Sequence, residues 1–188
     1  MKRRRFLSSV AILVPAAIVS TDVLFSSCNR RVDEHYFSQE NITLLDEIGE
    51  TIIPATTTSP GAKAARVGEF MKVYVTDCYT AEQQSMFWEG INKIRKLSKN
   101  KYGNEFSKLA VSQKQDVLRS LENEAKNIKK SNKESSATQF YPMIKGLVVF
   151  GFFSSKPGAT KALRYIQTPD SYQAQVPYKK GDKAWATS

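Results

Sequence analysis

Histidine is almost missing from this 188-residue chain: His35 is the single one, and it lies outside every segment with helical periodicity. Catalysis by a Ser–His or Cys–His pair therefore has no base to draw on within a folded core. Cysteine is nearly as scarce, with only Cys28 and Cys78. Zinc spacings, a Cys-x-x-Cys-His haem site and the cysteine set of an iron–sulfur cluster are all missing, which argues against metal or haem bound by this chain alone. No Gly-x-Gly-x-x-Gly or phosphate-binding glycine loop occurs, and Val67-Gly68-Glu69-Phe70 has a helical rather than a loop pattern. No stretch alternates apolar and polar residues for long enough to make a strand. Paired carboxylates could act without histidine, but Asp46, Glu47 and Glu50 fall on the polar side of the first periodic segment, where a solvated face is expected. No catalytic, cofactor-binding or metal-binding residue is assigned.

What is present starts at the N-terminus. Lys2, Arg3, Arg4 and Arg5 precede an apolar run from Phe6 to Val19, and Ser20-Thr21-Asp22 breaks that run. A membrane span needs about 20 apolar residues, so residues 1–27 are expected to be a signal peptide rather than an anchor. Arg3-Arg4-Arg5-Phe6-Leu7 fits the twin-arginine pattern, carried by Arg3 and Arg4, which is read by a receptor and moves folded proteins. Leu24-Phe25-Ser26-Ser27-Cys28 resembles a lipoprotein box, with Phe25 large for its place. Lipid attachment at Cys28 is the expectation, with plain cleavage after Ser27 as the alternative. Acyl chains contribute roughly 0.8 kcal/mol per buried methylene and would hold the protein at a membrane. Residues 28–36 read as a tether, residues 37–188 as one helical domain, and the compartment as periplasm or cell envelope.

Formal charge is +10 for the whole chain, and the 24 basic and 17 acidic residues from Cys28 onward leave +7. An exported protein rarely meets nucleic acid, so none is expected as a partner. Lys96, Lys99 and Lys101, then Lys126, Lys129, Lys130 and Lys133, look like helix ends and a polar linker on a solvated face. Attraction to anionic lipid headgroups is the weaker reading.

Apolar periodicity predicts an all-α fold of about five or six helices around one core. Ser38 caps a first helix with Ile42, Leu45, Ile48 and Ile52 at helical spacing, ended by Pro54. Residues 55–61 are a loop of small polar and turn-forming residues. A second helix is expected from Ala64 to Cys78 on a stripe of Val67, Phe70, Met71, Tyr74, Val75 and Cys78, with Cys78 a small buried hydrophobe. Thr80 and Gln83 have the spacing of a capping box for a third helix carrying Met86, Phe87, Ile91, Ile94 and Leu97 and ending at Gly103. Ser112 and Gln115 repeat that spacing ahead of a fourth, with Val117, Leu118, Leu121 and Ala125. Asn127–Thr138 reads as a polar linker. Phe140–Phe153 reads as a buried helix interrupted at Lys145-Gly146, with Gly151 allowing close approach. A short helix at Gly158–Tyr165 and an irregular tail complete the chain.

Three segments in this order resemble the gluconate 2-dehydrogenase subunit 3 family. The first is Leu44-x4-Gly49-Glu50-Thr51-Ile52-Ile53-Pro54-Ala55-Thr56 with Ser59-Pro60-Gly61-Ala62-Lys63-Ala64-Ala65-x-Val67. The second runs from Phe106 through Ser112-x-x-Gln115-x-x-x-Leu118. The third is Phe150-Gly151-Phe152-Phe153-Ser154-Ser155 with Gly158-Ala159-Thr160-x-x-Leu163-Arg164-Tyr165. Together they span roughly Asn41 to Tyr165. The resemblance implies a small accessory subunit, not catalytic by itself, of a membrane-associated flavoprotein dehydrogenase for sugars or polyols. It implies FAD in a large partner subunit, and a cytochrome c subunit as a further partner. No catalytic residues are carried over. Phe152, Phe153, Arg164 and Tyr165 are the expected partner interface, because aromatic and Arg side chains favour interface hot spots. The alternative is an independent envelope lipoprotein acting as a binding module unrelated to redox chemistry.

Overall fold

Five helices carry the domain, and the residues that start and stop them are visible in the chain. The computed structural model describes residues 37–130, 136–168, 171 and 175–186, and the side chains of 128–130 and 136–139 are left aside. The expected signal with Arg3 and Arg4, the expected lipid site Cys28, and the expected tether with His35 lie outside the described residues.

Helix α1 spans Gln39–Ile52, and the Ser38 hydroxyl accepts from the Asn41 amide at its start. Helix α2 spans Val67–Cys78. It begins three residues later than expected, because Ala62–Ala65 forms a separate 3-10 turn and Arg66 takes a left-handed conformation (φ 52°) between the two. Helix α3, Ala81–Tyr102, opens on the expected capping box: Thr80 Oγ1 accepts from the Gln83 amide at 3.3 Å, and Gln83 Oε1 accepts from the Thr80 amide at 2.9 Å. It ends at Gly103 with φ 70°, a conformation that costs glycine little.

Helix α4, Val111–Lys130, starts one residue before Ser112, so the second expected capping box does not form; instead Gln113 Oε1 accepts from the Ala110 amide at 3.0 Å. The same helix runs into the stretch expected to be a linker. Helix α5, Ser136–Ser154, continues through Lys145-Gly146 without a break. A single π-type turn at Gly158–Ala162 replaces the expected helix to Tyr165.

Helix α5 packs against each of the other four helices, which makes it the centre of the domain. Phe140, Ile144, Val148 and Phe152 line its inner side and are buried with Leu45 and Ile48 of α1, Met71 and Val75 of α2, Phe87, Ile91 and Ile94 of α3, and Val117 of α4. Each such side chain contributes about 1.5–3 kcal/mol relative to exposure. Trp88, next to Phe87, is buried too, edge-on to both Phe37 and Phe87. It lies off the expected stripe and is covered by Phe37, the residue just before the Ser38 cap of α1. Cys78 is exposed, contrary to expectation, at the last residue of α2. Among the described residues no helix is long and apolar enough to cross a membrane.

Candidate interaction face

Three regions of the surface carry polar or aromatic groups in a defined arrangement. The first is the turn between α1 and α2, built from the motif-rich stretch Gly49 to Gly68. Asp46, Glu47 and Glu50 are half-buried there, not on the solvated face expected for them. Glu50 accepts from the Ala55 amide at 2.8 Å and from the Lys63 amide at 2.9 Å. Asp46 accepts from the Gly68 amide at 2.8 Å, in the first turn of α2, where a carboxylate also meets the positive end of the helix dipole. Glu47 pairs with Lys63 and, at 2.8 Å, with Lys114 of α4.

Burial pushes the Asp46 carboxyl above its ordinary value and outweighs the pull of the Gly68 amide. Burial acts on Glu47 in the same direction, but the hydrogen bonds from Lys114 and Lys63 win and hold its carboxyl below the ordinary value. Gly49 is needed for the close approach of α1 to Val67, since a Cβ there would lie 2.4 Å from Val67 Cγ2. Each carboxylate already has backbone amides or lysines as partners, so the cluster shapes the turn. Among the described residues no group of three or more His, Cys, Asp or Glu side chains could hold a metal ion.

The second region is an aromatic face shared by α2 and α5. Phe70, Tyr74 and Phe150 meet edge-on or tilted with ring centroids 5.4–5.7 Å apart, and Tyr79 extends the set at 5.7 Å from Tyr74. These spacings lie in the favourable range for aromatic pairs. Gly151 lets the helices close, because a Cβ there would meet Phe70 Cδ1 at 2.5 Å. Phe150 is 52% exposed, and Val73, Val149 and Phe153 are exposed as well. Exposed apolar side chains gathered on two packed helices are the kind of surface that marks contact sites. Sequence periodicity assigned Phe70 and Tyr74 to the core stripe. The small residue at Gly151, one place after Phe150, was the available signal that this stripe meets α5 at the surface.

The third region is a clasp at the C-terminus. Arg164 and Trp185 form an isolated parallel bridge: the Arg164 amide donates to Ala184 O, and the Ala186 amide donates to Arg164 O, both at 2.8 Å. The Arg164 guanidinium pairs with Asp182 at 3.2 Å and stacks over the Trp185 ring at 5.4 Å. Lys183 Nζ donates to Lys161 O.

Of the four residues expected at an interface, Phe153 and Tyr165 are exposed. Phe152 is 1% exposed and edge-on to Phe153, so its side chain belongs to the core, on the inner side of α5. Arg164 is engaged in holding the tail, an intrachain role that no periodicity signalled.

An all-α domain with a carboxylate-braced turn and an exposed aromatic face is the class that fold and surface define. Its family is more particular: residues 39–169 match the model of gluconate 2-dehydrogenase subunit 3, and the chain belongs to that family. Its family name makes it an accessory-subunit type within a dehydrogenase complex. Neither the curated proteins nor the solved structures contain a match to it.

Proposed function

We propose that this chain is a non-catalytic small subunit of an exported, membrane-associated, flavin-dependent dehydrogenase acting on a sugar or polyol, and that it assists export, assembly or stability of the complex. The observation that carries the proposal is the family match, which takes in all five helices. FAD belongs to the large flavoprotein subunit, and a cytochrome c subunit is the further partner. The twin-arginine pair Arg3-Arg4 fits the same picture. A helical chain without a cofactor of its own gains little from folded export, whereas a flavoprotein loaded in the cytoplasm requires it. Cys28 then anchors the assembly at the membrane of the cell envelope. The face of Phe70, Tyr74 and Phe150, with Phe153 beside it, supports docking, since aromatic anchors dominate interface energies.

Affinity purification of the tagged chain from detergent-solubilised membranes should bring down a flavin-containing large subunit, read by its absorbance. Phe150→Ser should reduce the recovered flavin about tenfold or more while leaving helix content unchanged. Replacing Arg3 and Arg4 by Lys should leave that flavoprotein in the cytoplasm. A chain that recovers no flavin from its own membranes would remove the proposal.

A further inference from the structure

The clasp has a second property that the subunit reading does not use. From Ser155 onward, Asp182 is the one acid among the described residues, against Lys156, Lys161, Arg164, Lys179, Lys180 and Lys183. Asp182 is itself consumed internally: it pairs with Arg164 at 3.2 Å and accepts from the Lys179 amide at 2.9 Å. The lysines near it are exposed and brought together by the backbone. A turn closed by the Asp182 amide on Lys179 O at 3.0 Å presents Lys179 and Lys180, and the bond from Lys183 to Lys161 O sets those two side by side. Large amphipathic rings stand among them, with Tyr178 76% and Trp185 43% exposed.

We infer that this clasp rests on a bilayer surface rich in anionic headgroups, with Lys161, Lys179, Lys180 and Lys183 against the charge and Tyr178 and Trp185 at headgroup depth. Lysines keep their ammonium groups in the headgroup layer while their stems lie on apolar surface. Trp and Tyr favour the same layer because one end of each ring system is apolar and the other polar. Each lysine close to an anionic leaflet strengthens binding about fivefold, so the four together matter where one would not. An acidic protein surface would satisfy the lysines equally. The kind of ring favours the bilayer: Tyr178 and Trp185, unlike the phenylalanines of the α2–α5 face, each join an apolar body to a polar tip, the type that gathers at headgroup depth, and both stand exposed among the lysines. The inference needs no flavoprotein partner, and the tail Gln175–Ala186 lies beyond the family match.

The chain has two tryptophans, which makes the test local. The full chain carrying Cys28→Ser, which cannot be acylated at that position, and Trp88→Phe reports from Trp185 alone. With vesicles of phosphatidylcholine containing about a third phosphatidylglycerol, Trp185 emission should shift to the blue and be quenched by brominated acyl chains. Neutral phosphatidylcholine vesicles should produce neither change, and raising salt from 0.05 to 0.5 M should reverse the shift by screening. Combining Lys179→Glu, Lys180→Glu and Lys183→Glu should lower the partition coefficient read from Trp185 on the order of 100-fold, with helix content retained. An unshifted Trp185 on vesicles that do bind the chain would overturn the inference, as would equal shifts on neutral vesicles. Loss of a co-purified protein in the charge-reversed chain, with Trp185 silent on anionic vesicles, would assign the clasp to an acidic protein partner instead.

Discussion

Two irregular segments of this domain are pinned by charged side chains, and they are pinned in opposite ways. The turn between α1 and α2 is held by three carboxylates projecting from one buried helix, each with its own amides or lysines, and backed by bonds such as Ala62 N–H to Ile53 O at 2.9 Å. The C-terminal tail is held around one cation, Arg164, by a two-bond bridge, one ion pair and one ring. The first arrangement is half-buried and redundant, so losing any one partner leaves the others in place. The second is partly exposed and rests on few contacts, most of them gathered at Arg164, with the Lys183 bond to Lys161 O beside them. A segment of the first kind is part of the folded core's cooperativity, and one of the second kind opens on its own.

The sharpest way to break the braced turn is at its closest contact. Gly49→Val should lower the unfolding free energy by about 2–3 kcal/mol, because the added carbons must displace Val67 and Ala62, both fully buried. Urea denaturation followed by far-UV circular dichroism reads the change, and an unaltered midpoint would mean that α1 and α2 separate freely here.

The same turn makes a pH prediction with two signs. Glu47 is held below its ordinary value, by lysine bonds that overcome burial, so its contribution is complete above about pH 4.5 and is lost as pH falls through the lower folded value. Asp46 is raised by burial, so its protonation favours the fold: that contribution is present below about pH 3.8 and is lost as pH rises through the higher folded value. Glu47→Gln should therefore cost about 1–2 kcal/mol at pH 7, since it weakens the partner of Lys114, a side chain only 12% exposed. It should also flatten the loss of stability in acid, whereas Asp46→Asn should steepen it. Denaturation midpoints from pH 3 to 7 check both, and parallel curves for the two variants would refute the assignment.

How far each region could be read from the chain follows from the same contrast. The braced turn joins residues close in sequence: Glu50 reaches Ala55 and Lys63, five and thirteen positions on. Local spacing of that kind leaves a motif, and the helix starts at Ser38 and Thr80 and the stop at Gly103 were legible for the same reason. The role of the acids was not, because a polar side of α1 looks solvated until the folded-back turn covers it. The aromatic face was half legible. Periodicity showed that Phe70, Tyr74 and Phe150 are apolar helical positions, but whether such a position faces the core or solvent depends on where α5 crosses α2. Phe152 and Phe153 differ only by one position of helix rotation, and that step moved Phe152 inward. The clasp left no local trace: Arg164 meets partners about twenty residues away across a stretch with no period, and one bridge is too short to read as a strand.

The smallest expected effect falls on the clasp, and it separates local opening from global unfolding. Arg164→Ala removes a half-exposed ion pair and a ring contact, each a modest interaction. The core should notice little, with the denaturation midpoint of the helices moved by less than about 0.5 kcal/mol. The tail should notice more. Trypsin cleavage after Lys179, Lys180 and Lys183 should speed up about fivefold, because cleavage follows the open population when opening is fast. Trp185→Ala should have a similar effect, and the double variant should add little to either single one, since both remove the same closure. Arg164→Lys should fall between, keeping the charge facing Asp182 while losing the planar stack on the ring. Additive rates in the double variant would mean that Arg164 and Trp185 hold different parts of the tail; a matching drop in helix stability would mean that the tail belongs to the core after all.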